Sequence, residues 1–446
     1  MKRDMTTGSP GKTLLLFAIP MVLGNLFQQL YNIIDSIIVG NYVGADALAA
    51  VGASTTLVML FVAIVTGLSI GGSVVIGQYY GAGSFEKVKS SVTTMLITAV
   101  GISLVLTAIG LMISGPVLKL MKTPDYLMED AETYLDIYFM GFFFLFLYNA
   151  LNAVYNALGD SKTPLIFLAF SSVLNVFLDI LFVTRYNMGV DGVAWATLIA
   201  QGVSALLSLG WLTIRMKDIL KLPDAKLFDV ALLKTICSMA VPSCLQQSIV
   251  SFGFLSVQAL VNRYGGDFMA GYTAAIKIDS IAILPMVNVG NAVSNFTAQN
   301  IGAGKHDRVG SGLKAGLMLS SGIAIAVSVL LLIWGDVFVG LFVDSALNPV
   351  VIETGTQYLR VVGVCYIIMG AMNSVNGALR GAGDVNRTFV NTLCNFGTRV
   401  ILAYGLASVI GPSVIWYSIP AGWLVALIMG TVRYRGGKWK QIKVVN

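Results

Sequence analysis

The sequence predicts an all-α integral membrane protein: twelve transmembrane helices in two six-helix bundles related by a pseudo-twofold axis along the membrane normal. Three observations predict it. Only 11% of the 446 residues are Asp, Glu, Lys or Arg, whereas 56% are apolar and mean hydropathy is +0.81. The apolar residues gather into twelve runs of the ~20 residues that cross a bilayer as helix. The second half of the chain also repeats features of the first. Soluble domains carry about a quarter charged residues, so a water-soluble enzyme is excluded.

The runs are 13–39, 49–78, 91–113, 134–157, 165–184, 191–214, 235–261, 268–298, 313–334, 356–379, 388–408 and 413–432. The first, Leu14 to Gly40, is too long for a signal-peptide core and lacks an A-x-A cleavage site, so it is read as a span. Before it, Gly11-Lys12-Thr13 resembles the end of a phosphate-cradling loop. Thr6 stands where the first Gly of that motif belongs and no strand precedes it, which argues against nucleotide-driven transport. Pro20 and Pro242 interrupt the first span of each half, removing a backbone hydrogen bond and permitting a bend. Gly67-x-x-x-Gly71 and Gly312-x-x-x-Gly316 suit close helix packing. Phe142, Phe143 and Phe144 with the 18 Met residues offer adaptable apolar surface. The four cysteines have no C-x-x-C spacing and the single histidine, His306, lies in a polar loop, so zinc chemistry and core histidine catalysis are not expected.

With twelve crossings, the connections alternate between two sides and both termini share one. The side with the termini holds 21 Lys and Arg residues. The other holds Lys119, Lys122, Arg185 and Arg263, while Lys277, Arg360 and Arg399 fall within spans. Short cytoplasmic loops carry the Lys/Arg excess, so both termini are expected in the cytoplasm, with the chain in the inner (plasma) membrane. The cations form no single basic patch, which argues against nucleic acid as a partner. The longest cytoplasmic connection, Arg215 to Lys234, lies near mid-chain. The expected domains are therefore 1–214, an N-terminal bundle; 215–234, a linker; and 235–446, a C-terminal bundle.

The halves match at an offset of about 222 residues. Ala18-Ile19-Pro20 pairs with Ala240-Val241-Pro242, Gly44 with Gly266, GQYYGAG (77–83) with AQNIGAG (298–304), and ALGD (157–160) with ALRGAGD (378–384). Six spans are an even number, so both halves enter the membrane from one side. Parallel repeats with a central cavity are a transporter architecture.

Ionisable groups at membrane depth are costly and mark function. Asp35 lies about four residues from the outer end of span 1, with Gln28, Tyr31 and Asn32 on its helix face as candidate cavity residues. Asp179 lies about five residues from the outer end of span 5, with Asn175 one turn deeper, and Thr197 enters span 6 to a similar depth. At 1.5 Å per residue these depths agree to about one turn. Asp35, Asn175, Asp179 and Thr197 thus form an all-oxygen set suited to a small hard cation. Paired carboxylates also hold protons, so H⁺ and Na⁺ would compete there. Tyr134 and Tyr138, one turn apart in span 4, could add a phenol. In the second bundle Val257 occupies the repeat position of Asp35, and spans 7 and 10 have no carboxylate. Span 8 carries Lys277 and Asp279, then a stripe including Asn288 and Asn291; Lys277, Asn288 and Asn291 are candidate cavity residues. Lys277 and Asp279 are two apart and do not share a face. Arg399 is a candidate partner for Asp279, and Arg360 and Arg399 read as structural or snorkelling residues.

The pieces PMVLGNLFQQLYNIIDSIIVG, GQYYGAG, NALGDSKTP, LNVFLDILFV, GVAWATLIAQ, AQNIGAGK and ALRGAGD, in this order over nearly the whole chain, resemble the multidrug and toxic compound extrusion (MATE) family. The resemblance implies an ion-coupled antiporter that alternates between outward- and inward-open states. Asp35, Asn175, Asp179 and Thr197 match the cation site of the family's N-terminal bundle. Lacking acidic residues in spans 7 and 10, the chain is more similar to the DinF-type branch, which argues against a second cation site. The expectation is a monomer without resident cofactor that exports small amphipathic, cationic compounds in exchange for H⁺ or Na⁺, with membrane lipid around it. A flippase for lipid-linked or amphiphilic metabolites is the rival. It would need a cationic cavity, for which Lys277 and Arg399 are the candidates. A membrane-embedded enzyme would need an Asp-rich or His-Asp motif that the sequence lacks, and a passive channel would not need buried carboxylates.

Overall fold

The computed structural model describes residues 4–121, 123–223, 225–342, 348–442 and 444. Lys2, Arg3, Lys122 and Lys443 of the charge count lie outside the described residues. Among the described residues there is no strand. The helices are α1 (Pro10–Ile38), α2 (Ala45–Gly81), α3 (Phe85–Leu120), α4 (Asp125–Met140), α5 (Phe142–Ala157), α6 (Lys162–Ile180), α7 (Val190–Arg215), α8 (Lys217–Leu220), α9 (Val230–Val261), α10 (Gly266–Ala282), α11 (Leu284–Gly302), α12 (His306–Gly340), α13 (Pro349–Val364), α14 (Tyr366–Gly381), α15 (Val385–Ile410) and α16 (Val414–Arg435). Ten stretches are long and apolar enough to cross a bilayer singly, and α4 with α5 and α13 with α14 make one bent span each. With each bent pair counted as one span, the described residues hold twelve, the number the apolar runs predict.

The bent spans correct the sequence reading. Apolar windows predict that spans 4 and 10 begin at 134 and 356, yet their helices begin at Asp125 and Pro349. The polar first turns, acidic in α4, continue the helix beyond the apolar window. The bends measure 48° and 50°. They fall at Gly141 and Cys365, whose ψ angles of −11° and 2° lie at the sparsely populated edge of the helical region.

Two compact units emerge: Leu23–Cys244, and Asp4–Val22 with Leu245–Asn446. The division falls within α1 and α9, just past Pro20 and Pro242, and not in the 215–234 connection, because the N-terminal part of each helix packs into the other half's unit. Leu14, Phe17 and Ala18 share a core with Val293, Phe296 and Leu313. Gln299 Oε1 accepts from the Met5 N–H at 3.2 Å and Lys305 Nζ donates to the Thr6 carbonyl at 2.8 Å. In the first unit α9 lies in a groove of small residues on α2. A Cβ at Gly71 would stand 2.7 Å from the Ala240 nitrogen, and one at Gly67 2.6 Å from the Cys244 nitrogen. The Gly-x-x-x-Gly spacing thus seats a helix backbone.

Each first helix is anchored at its start. The Asp229 N–H donates to Thr94 Oγ1 at 3.0 Å, and the Asp229 carboxylate accepts from the Ala231 and Leu232 N–H groups and faces Lys87 at 3.8 Å. Burial pushes this carboxyl up, but the N–H groups of Leu232 and Ala231 and the ammonium of Lys87 outweigh it and hold it below the usual carboxylate range. Asp4 is held low in the same sense: Thr6 and Lys305 outweigh partial burial.

Within each unit an ion pair closes one end of the bundle. Arg215, ending α7, meets Asp160 at 2.5 Å, and Arg433, ending α16, meets Asp384 at 2.6 Å. The glycines preceding these aspartates, Gly159 and Gly383, have φ of 79° and 89°, a conformation that L side chains resist. This explains the repeated Gly-Asp of the sequence: the turn needs the first residue and the ion pair the second. Asp160 also accepts from the N–H groups of Lys162 and Thr163 and from the Thr163 hydroxyl, satisfying the open start of α6.

Candidate functional site

Three helices of the first unit bring the predicted oxygens together. Asp35 comes from α1, Asn175 and Asp179 from one face of α6, and Thr197 from α7. Asp179, Asn175 and Thr197 are 0%, 2% and 8% exposed, so these polar groups are withdrawn from both lipid and water. Thr197 is the junction: its Oγ1 accepts from Asn175 Nδ2 at 3.2 Å and lies 3.4 Å from the Tyr31 hydroxyl. The carboxyl groups of Asp35 and Asp179 lie against each other. Ionised carboxylates only accept, so these two can bond only through a shared proton or cation. No donor among the described residues reaches Asp35 Oδ1, Asn175 Oδ1 or either oxygen of Asp179. Four buried acceptor oxygens on these three residues are therefore left without a donor.

The surroundings fix this geometry. Tyr134 stacks on Tyr138 with centroids 6.2 Å apart; Tyr134 lies within electrostatic range of Tyr31 and the carboxyl pair, and Tyr138 within range of Tyr31. Tyr134 packs in an apolar cluster with Ile38, Val39, Val183 and Val193, at the C-terminal ends of α1 and α6. Past the aspartates both helices loosen into π-helical turns, Val39–Val43 after α1 and Leu181–Arg185 after α6. Such turns recur at functional sites, and here they carry α1 a turn beyond the predicted end of span 1. Two unit charges about 4 Å apart repel by about 4 kcal/mol at an effective dielectric of about 20. Double ionisation without a counter-ion is therefore unfavourable. Among the described residues no group of three or more His, Cys, Asp or Glu is placed to hold a metal, and two carboxylates with neutral oxygens suit a single positive charge.

Other predicted residues lie elsewhere. Gln28 and Asn32 are exposed and only Tyr31 of that stripe turns toward the carboxyl pair. Lys277, Asn288 and Asn291 belong to the second unit. Lys277 is exposed, with its ammonium 5.5 Å from the Phe342 ring centroid. Asn288 is buried and donates to the Leu284 carbonyl of its own helix, whereas Asn291 accepts from Arg380 at 2.8 Å. Asp279 is buried, and Tyr366 donates to its Oδ1 at 2.6 Å. The sequence reading sought a cation as its partner and missed this phenol, because α13 and α14 come near α10 only through the fold. It also passed over Asp136, which lies inside predicted span 4 and buries Oδ1 without a partner.

Twelve spans in two six-span halves, with polar groups buried in each, describe a multi-pass membrane protein with the architecture of a transporter. The MatE family model matches residues 20–181 and again 242–405, two stretches that start 222 residues apart. The chain belongs to the MatE family, the multidrug and toxic compound extrusion transporters. It is 32% identical over 445 residues to the probable multidrug resistance protein YpnP of Bacillus subtilis (strain 168), covering 99% of this chain and 98% of that one. It is 28% identical over 431 residues to YoeA, a probable multidrug resistance protein of the same organism, covering 94% and 92%. An outward-facing multidrug resistance MATE family transporter of the MOP superfamily has the same fold, with a TM-score of 0.91 at 24% identity over 99% of both chains.

Proposed function

We propose that the protein is a secondary active antiporter that exports amphipathic, cationic organic compounds in exchange for H⁺ or Na⁺ by alternating access. In this reading it sits as a monomer in the plasma membrane with both termini in the cytoplasm. The observation that carries the reading is the set of four buried acceptor oxygens on Asp35, Asn175 and Asp179 that no donor satisfies. An entering cation neutralises the carboxyl pair, lowers affinity for the substrate and promotes return to the inward-open state. Na⁺ would take oxygens from Asp35, Asp179, Asn175 and Thr197, and a proton would bridge the two carboxyl groups. The names of the relatives in Bacillus subtilis support export of foreign compounds. One charge crossing 100 mV supplies about 2.3 kcal/mol, enough for roughly a fiftyfold gradient of a neutral solute.

The test is export of ethidium from proteoliposomes under separately imposed Na⁺ and pH gradients. The reading expects at least one gradient to drive ethidium uphill. Ethidium movement that only ever follows its own gradient would overturn it.

A further inference from the structure

The second unit buries a cation that the exchange cycle does not use. Arg399 of α15 is 3% exposed and lies 11 residues from the outer end of its helix, about 16 Å at 1.5 Å per residue, deep in a ~30 Å hydrocarbon core. Its Nε has no hydrogen-bond partner, and among the described residues no carboxylate forms an ion pair with it. Asp279 is within electrostatic range, yet its Oδ1 already accepts from the Tyr366 hydroxyl at 2.6 Å. What touches the guanidinium instead is aromatic: its carbon lies 4.7 Å from the Phe396 ring centroid and 5.4 Å from that of Phe254. Those rings meet edge to face with centroids 5.8 Å apart, so they cover one side of the group.

The seat is shaped by absent side chains. A Cβ on Gly253 would stand 2.0 Å from the Phe396 ring, and one on Gly422 would stand 2.7 Å from Arg399 Cγ. Phe254, by contrast, is 40% exposed while its ring lies on the guanidinium. It is the part of the seat that can swing aside without disturbing the core. Tyr272, stacked on Trp416 at 5.7 Å, lies within electrostatic range of the guanidinium.

We infer that Arg399 is the anion-binding group of a ligand site within the second unit, one that accepts an organic carboxylate carried on an aromatic body. The guanidinium is a planar fork of donors that matches a carboxylate through two parallel hydrogen bonds. The rings of Phe254 and Phe396 provide a surface on which the aromatic part of such a ligand packs. The site goes beyond the export reading, since it involves neither Asp35 nor a gradient. It would admit acidic or zwitterionic amphiphiles alongside cations.

The experiment titrates the full chain in lipid nanodiscs, by calorimetry, with two probes that share one ring system and differ in charge: 2-naphthoate and (2-naphthylmethyl)ammonium. Arg399→Met is expected to weaken naphthoate binding by about tenfold to a hundredfold. Arg399→Lys should fall between, because it keeps the charge and loses the fork, and the ammonium probe should change less than about twofold. Wild-type protein supplies a test that needs no variant to fold: 2-naphthoate, but not the ammonium probe, should protect Arg399 from labelling by phenylglyoxal. Equal naphthoate affinity in wild type and Arg399→Met, no naphthoate binding to wild type, or unprotected labelling would each overturn the inference.

Discussion

In the first unit, two facing carboxyl groups and an amide oxygen are buried with no donor to satisfy them. In the second, the carboxyl of Asp279 is buried to a similar degree but receives Tyr366 at 2.6 Å. The scaffolds around them repeat closely, with a fourth span bent by 48° or 50° and a Gly-Asp turn tied to an arginine at the end of the last span. Burial of an acid is thus not by itself a sign of ion binding. Two facing acids with unsatisfied acceptor capacity are, because buried oxygens without a donor cost free energy that a proton or metal cation recovers.

Substitutions can break this comparison. The largest effect is expected from Asp35→Asn and Asp179→Asn, each of which removes the negative charge that holds the cation. Gradient-driven ethidium export from proteoliposomes should fall by about tenfold or more, while Asp279→Asn should keep most of it. Equal losses at all three positions would erase the distinction between the units. Next comes stability. Asp160→Asn should lower unfolding free energy by about 2–3 kcal/mol and Asp384→Asn by about 1–2 kcal/mol, since Asp160 both pairs with Arg215 and caps α6. Thermal melting in detergent reads the order, and the reverse order would contradict the assigned contacts. Tyr366→Phe leaves Asp279 Oδ1 short of a donor and should cost about 1–2 kcal/mol. Tyr31→Phe, losing a 3.4 Å contact, should cost less in the same assay.

The smallest effect concerns pH. Asp229 is held below the usual carboxylate range when folded, so the stability it lends is present above the unfolded value of about 3.9 and is lost as pH falls through the folded value. The melting-temperature difference between wild type and Asp229→Asn should persist from pH 6 to pH 5 and close as pH drops below about 4. A gap that widened in acid would show the sign to be wrong.

Much of this was legible in the sequence because membrane burial writes itself as long apolar runs and because a repeat fixes topology. Asp35, Asn175, Asp179 and Thr197 could be grouped by depth alone, since helical rise converts residue number into distance from the membrane edge. What depth cannot give is azimuth. Of the residues at helical spacing from Asp35, Gln28 and Asn32 are exposed and Tyr31 is the one that reaches Thr197. Nor does hydropathy register the exchange of helix ends between units, because the apolar pattern runs unbroken through Pro20 and Pro242. The bends at Gly141 and Cys365 were hidden for the same reason. Tyr366 could not be assigned to Asp279, as 87 residues separate them and tyrosines inside apolar runs are common.

The central claim is tested most directly by counting cations displaced when substrate binds. Purified protein is mixed with ethidium in weakly buffered solution while released protons are followed with a pH dye and displaced ²²Na⁺ by equilibrium dialysis. Wild type should release about one H⁺ or Na⁺ per ethidium bound, and Asp35→Asn and Asp179→Asn should release neither. Release of the same amount by wild type and both variants would contradict the account.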